Sequence, residues 1–127
     1  MFYPKDNVIY DELWDVIIAG SAVVKGQATV IQDVFGFYFN DGAIDDEVAF
    51  VYRMRQVYAD KNTGSAGDAF LAGDKVFYIV ATDTVSPTPT GTPGTDSYFC
   101  GWAKKDAGAS DDTVLINFDG TRYDETL

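Results

Sequence analysis

The densest group of oxygen ligands in the sequence is Asp41, Asp45, Asp46 and Glu47. Hard cations such as calcium take several carboxylate and carbonyl oxygens from one loop. This spacing fits no EF-hand, because the oxygens do not alternate and no bidentate Glu closes the loop. A solvated turn ahead of a strand accounts for the cluster. Asp111, Asp112 and Asp119 are sparser, and Asp119-Gly120 reads as a turn pair. Two carboxylates for glycoside hydrolysis can be drawn from 20 acids, but an acidic surface needs no such pair. Nucleophilic catalysis lacks a constellation. There is no histidine to serve as base, Cys100 is the one cysteine, and Ser97 and Ser110 fall in turns. Gly64-Ser65-Ala66-Gly67-Asp68 lacks the Lys-Ser/Thr ending of a phosphate loop. No catalytic, metal or cofactor site is therefore assigned.

Charge narrows the partners. Twenty acidic residues against nine basic ones give a net charge of -11. Such a surface repels nucleic acid and anionic membranes and suits a partner with basic patches. Arg53 with Arg55, and Lys104 with Lys105, are pairs too small to make a nucleic-acid stripe. The apolar run Val16 to Val24 is shorter than the roughly 20 residues that cross a bilayer. Met1 to Asp6 lacks the basic start and apolar run of a secretory signal, so none is expected. One cysteine implies no internal disulfide, and Cys100 is expected as a small buried group. Aromatic residues reach 15%, which favours β structure and contact surfaces. Their sugar-stacking use in β-modules is the alternative to core and interface roles.

These residues need a scaffold, and the pattern predicts one all-β domain. Gly73–Val80, Tyr98–Lys104 and Thr113–Phe118 read as three strands around which the rest is organised. Upstream, Val16–Val24, Ala28–Ile31, Val34–Phe39 and Val48–Tyr58 are further strands. On the longest, Val48, Phe50, Tyr52, Met54 and Tyr58 read as the core face. Ala49, Val51, Arg53, Arg55 and Val57 read as half-exposed. Seven or eight short strands with frequent turn signals predict a compact β-sandwich or β-barrel, mostly antiparallel. The boundaries are 1–15 as an arm or short helix, 16–120 as the β-domain and 121–127 as a tail. The Pro/Thr/Gly loop around Thr84–Gly94 is too long for a tight hairpin and is expected to project or to reach a neighbour. No internal repeat is legible.

Three stretches carry a family resemblance. Gly67-Asp68-Ala69-Phe70-Leu71-Ala72-Gly73-Asp74-Lys75-Val76-Phe77-Tyr78 resembles the "aG-dav-Y" hallmark of the small tailed-phage capsid decoration, or cement, proteins. The run from Phe99-Cys100-Gly101-Trp102-Ala103 to Val114-Leu115-Ile116 is similar to that family's "iGvA" ending. Val34-Phe35-Gly36-Phe37, followed by Asp46-Glu47-Val48-Ala49-Phe50-Val51-Tyr52, resembles its "l-fGva … ge-v-v-l-Gv" stretch. The likeness runs from Val23 to Phe118. The aromatic, acidic start, the long loop and the tail after Gly120 depart from it. The resemblance implies a non-enzymatic virion protein on the outer surface of the head, assembled in the host cytoplasm. It further implies a trimer on threefold or quasi-threefold axes that bridges neighbouring major capsid subunits, with no nucleic-acid or membrane partner. Phe2, Tyr3, Tyr10 and Trp14 are the expected capsid contacts. Ser86, Pro87, Pro89 and Pro93 in the long loop are expected to meet a neighbour or solvent. The alternative is a carbohydrate-binding or host-attachment module of the particle.

Overall fold

The computed structural model describes residues 1–5, 13–63 and 68–121, without the side chains of Leu13 and Trp14. The described strands are β1 (Phe2–Pro4), β2 (Leu13–Ile18), β3 (Ala28–Ile31), β4 (Val34–Tyr38) and β5 (Glu47–Asp60), followed by β6 (Lys75–Ile79), β7 (Thr84–Ser86), β8 (Ser97–Ala103) and β9 (Thr113–Asp119). They form one curled antiparallel sheet, a half-barrel in the order β3-β4-β5-β9-β8-β6-β7, with β1 and β2 both laid along β5. The chain is thus a compact all-β domain, with no helix among the described residues.

The spine is β5, and its side-chain alternation changes phase twice. Its pairing slips by one residue against β2 at Leu13/Trp14, and again against β9 between Met54 and Val57. Each slip inserts a residue and turns the following side chains over. As a result Val51, Met54, Val57 and Ala59 all reach the main core, whereas Tyr58 is 36% exposed. This overturns the strict two-face reading, which left Val51 and Val57 half-exposed and made Tyr58 core. The early part of β5 is buried on both faces: Val48 and Phe50 join a second cluster with Ala19, Val23 and Tyr38.

The first residues differ from an arm or short helix. Phe2, Tyr3 and Pro4 pair with Ala59, Tyr58 and Val57, and β2 pairs with Glu47–Arg53 farther along the same strand. Residues 6–12, between these strands, lie outside the described part. Strand β2 stops at Ile18, short of the expected Val24. Ala19 then turns to bond with Asp45 and Asp46 at 2.8 and 2.9 Å.

A duplication invisible in the sequence organises the sheet. Val23 bridges Gly42, and Phe70 bridges Ala107. Each of these four residues leads into a tight turn and then into β3, β5, β6 or β9. The pairings Ala28↔Phe37 and Thr29↔Gly36 recur as Lys75↔Trp102 and Val76↔Gly101. Phe37↔Val51 and Tyr38↔Phe50 recur as Trp102↔Asn117 and Ala103↔Ile116. The turn chemistry recurs as well. The Lys25 amide donates to Asp41 Oδ1 at 2.7 Å, and the Ala72 amide to Asp106 Oδ1 at 2.8 Å. Gly26 and Gly73 hold the same turn position at φ 88° and 91°. Gly36 and Gly101 are required by contact, because a Cβ at either would run into the carbonyl oxygen of Val51 or Asn117 on the next strand. The first repeat is β3-β4-β5 and the second is β6-β8-β9. Where the first has the Gln32-Asp33 turn, the second carries residues 80–96 with β7.

The repeats face the core with opposite faces. Val30, Phe35 and Phe37 of the first point into the main core, while their counterparts Phe77, Phe99 and Trp102 form a separate outer cluster. Conversely, Tyr38, Val48 and Phe50 form the outer cluster of the first, while Ala103, Val114 and Ile116 lie in the main core. Because β5, β9, β8 and β6 are successively antiparallel, the two turn pairs sit at opposite ends of the sheet.

Candidate partner-binding surface

The exposed aliphatic residues concentrate on β2 and the turns that follow it. Val16 is 57% and Ile18 60% exposed, with Val24 and Ile44 on the neighbouring turn pair at 55% and 61%. Strand β2 is paired along one edge, with β5, and its other edge has no strand partner among the described residues. An unpaired edge with apolar flanks is a template for strand addition. The turns that follow it are held by hydrogen bonds. The Ala43 amide donates to Asp46 Oδ2 at 2.8 Å, and the Asp46 amide to the Ala43 carbonyl at 3.1 Å. Asp45 takes a left-handed turn position at φ 71°, a conformation that Asp tolerates. The acidic cluster thus builds turns, with Asp41 and Asp46 accepting backbone N–H groups.

On the outer face of β5, between β2 and the β3–β4 hairpin, lies a cavity of about 180 Å³. Ile17, Ile31, Val34, Phe50 and Tyr52 line it, with Asp15 at its rim.

The residues singled out from the sequence do not form one site. Phe2 is fully buried, its ring 5.0 Å from Phe118 and 5.6 Å from both Phe37 and Tyr78, so it is a core anchor and offers no surface. Tyr3 is 42% exposed and sits opposite Tyr58, giving two accessible rings side by side on β1 and β5. Trp14 pairs with Val51 through its backbone, and its side chain lies outside the described part. Tyr10 lies outside it altogether. Ser86 is buried at the end of β7, Pro87 and Pro89 are half-buried, and Pro93 is exposed. The long loop folds on itself instead of projecting freely. The Thr92 amide donates to Asp96 Oδ2 at 2.8 Å, and the Gly94 amide to the Ser97 carbonyl at 2.8 Å.

Two polar arrangements escaped sequence reasoning. Lys61 is 4% exposed, and its ammonium donates to the carbonyls of Asn62, Gly108 and Asp111, each at 2.9 Å, with Ala109 O at 3.3 Å. Nothing in the local sequence marks it, because all its acceptors but the neighbouring Asn62 lie 47–50 residues away on the turn 108–111. Beside β1, the Tyr3 hydroxyl donates to Asp60 Oδ2 at 2.8 Å and the Tyr78 hydroxyl to Asp83 Oδ1 at 2.7 Å. Burial, and then the hydrogen bond to Asp60, push the Tyr3 phenol up to about 12. Burial also raises Tyr78, with Asp83 adding to the shift. The Cys100 thiol, fully buried and donating to Val76 O at 3.4 Å, is raised strongly by desolvation. It is inert packing, as its strand position implied.

No group of three or more His, Cys, Asp or Glu is placed to hold a metal among the described residues. The surface offers apolar contact, a free strand edge and acidic charge, which are the means of binding another protein. Comparison with protein families matches residues 11–118 to a family described as phage cement protein. Neither the curated proteins nor the solved structures give a match.

Proposed function

Because the chain belongs to the phage cement protein family, we propose that it decorates the outer surface of a tailed-phage head and bridges neighbouring major capsid subunits as a trimer. The match over residues 11–118 carries this reading, since it spans both structural repeats. The role is structural and requires no catalysis. Three features support it. The free edge of β2, flanked by Val16 and Ile18, suits an extended capsid segment added as a strand. Related turn pairs at opposite ends of the sheet give one body two ends with which to span a junction. The net charge of -11 suits an exterior component that avoids packaged DNA. Many copies then act together on the shell through high effective concentration.

The test is co-sedimentation with undecorated mature heads, combined with sedimentation equilibrium of the free protein. Saturable binding at a symmetric stoichiometry, with a trimer mass free or bound, is the expected result. A folded protein that stays in the supernatant at every concentration refutes the reading. The Tyr3–Tyr58 pair favours a second reading, a carbohydrate-binding module of the particle, because adjacent exposed rings form a stacking platform. Glycan binding lost in Tyr58→Ala but retained in Ile18→Lys would select it.

A further inference from the structure

The cavity beside β2 has a filled counterpart inside the molecule. By the pairings of the two repeats, Ile31, Val34, Phe50 and Tyr52 correspond to Tyr78, Tyr98, Ile116 and Phe118. In the second repeat this face is roofed by aromatic rings. Phe2 lies 5.6 Å from Tyr78 and 5.0 Å from Phe118, and Phe35 lies 5.3 Å from Tyr78 and 4.9 Å from Tyr98. Phe2 arrives on a short extended strand, β1. Among the described residues, the same face of the first repeat has only β2 along one side, and Ile17, Ile31 and Tyr52 remain partly exposed over the second cluster. The space left is about 180 Å³. An apolar cavity of about 150 Å³ is enough to hold a benzene ring.

We propose that this groove receives an aromatic side chain on an extended segment of the capsid subunit, next to a Lys or Arg that meets Asp15. The inference rests on the cement reading and names what that contact recognises. The molecule's own second repeat supplies the model for the ring, since the equivalent face is covered by Phe2 on a strand. Charge selects the partner. Asp15 stands at the rim of a chain with net charge -11, so a second copy of the chain would bring like charge to the site, whereas a basic segment would not.

The experiment compares wild type with Ile31→Lys, Asp15→Lys and Leu71→Lys in binding to undecorated heads, with thermal melting and sedimentation velocity run alongside. Ile31→Lys puts a charge at the mouth of the groove. Asp15→Lys reverses the rim charge without touching the core, and Leu71→Lys alters an exposed turn of the other repeat. The expected result is head affinity at least tenfold weaker for Ile31→Lys and at least threefold weaker for Asp15→Lys, with Leu71→Lys unchanged. A folded Ile31→Lys or Asp15→Lys that binds within twofold of wild type overturns the proposal. If Ile31→Lys does not fold, Asp15→Lys alone decides. A wild-type oligomer that falls apart in Ile31→Lys assigns the groove to a second copy and also overturns it. Wild type that fails to bind heads at all is a different failure, that of the cement reading itself, and this inference falls with it.

Discussion

Lys61→Met tests whether one buried ammonium holds the end of β5 to the second repeat. The substitution keeps the aliphatic stem and removes three N–H donors. Hydrogen bonds to a charged group contribute about 1.5–3 kcal/mol each. Against that stands the desolvation of the ammonium, which costs several kcal/mol and is relieved by the substitution. Gly108 and Asp111 are exposed residues, so water reaches part of what the ammonium leaves behind. The balance is a loss of about 2–3 kcal/mol. For a domain of this size that lowers Tm by roughly 10 °C. Urea unfolding at neutral pH gives the free energy. Exchange of the Lys61 backbone amide, which donates to the Asp112 carbonyl at 3.1 Å, gives the location. The expected pattern is lower global stability together with faster exchange of the backbone amides of residue 61, Gly108 and Asp111. A Lys61→Met protein within about 0.5 kcal/mol of wild type would refute the reasoning, because desolvation relief would then offset the lost bonds completely.

Other perturbations address the core and the polar edge. Gly101→Ala drives a methyl group into the Asn117 carbonyl and should cost about 3 kcal/mol or prevent folding; Gly108→Ala, in open surroundings, should change stability by less than about 0.5 kcal/mol in the same urea assay. The Cys100 thiol should resist Ellman's reagent in the folded protein and react only as fast as the chain unfolds; rapid native labelling would contradict its burial. The Tyr3 phenol stays protonated in the fold up to about 12, whereas in the unfolded chain it ionises near its ordinary 10. Stability from this group is therefore complete below pH 10 and declines as pH rises from 10 towards 12. Melting curves at pH 9 and 11 should diverge less for Tyr3→Phe than for wild type, and equal divergence would refute the assignment.

Much of the strand inventory was legible because it rests on local chemistry. Thr113–Phe118 and Ala28–Ile31 alternate or carry β-branched side chains, and the turns between carry Gly, Asp and Asn. What escaped depends on partners distant in sequence. The phase of β5 follows from bulges against β2 and β9, which no residue of β5 announces. Phe2 looked like a surface anchor because terminal aromatics often are. It is core because Met1 to Pro4 lies along the far half of β5, with the Asp60 amide donating to Met1 O at 3.1 Å. The sequence pointed to aromatics and prolines as contacts, whereas the described exposed apolar side chains along β2, Val16 and Ile18, are aliphatic. The spacing of Val16 and Ile18 on a strand with an open edge is the signal that could have found it.

The duplication was hidden for a physical reason, and that reason bears on function. Because the repeats enter the core with opposite faces, equivalent positions face different environments and need different residues. Val30 must fit the main core while its counterpart Phe77 fits an outer cluster, and Tyr52 sits at a groove where Phe118 is fully enclosed. Positions fixed by the backbone keep their residue type: Gly26 and Gly73 for a left-handed turn, Gly36 and Gly101 for close approach, Asp41 and Asp106 for capping the opposite turn. Folding constrains both repeats alike, so an unequal feature marks a site free to serve something else. Among the described residues the first repeat is unequal in lacking an aromatic roof, and the second in the added segment 80–96. The missing roof leaves apolar surface that the fold itself knows how to cover. The added segment closes on its own hydrogen bonds and leaves little unsatisfied. The stronger claim to a partner therefore belongs to the first repeat, and a head-bound complex should protect Ile17, Ile31 and Tyr52 before it protects Pro93.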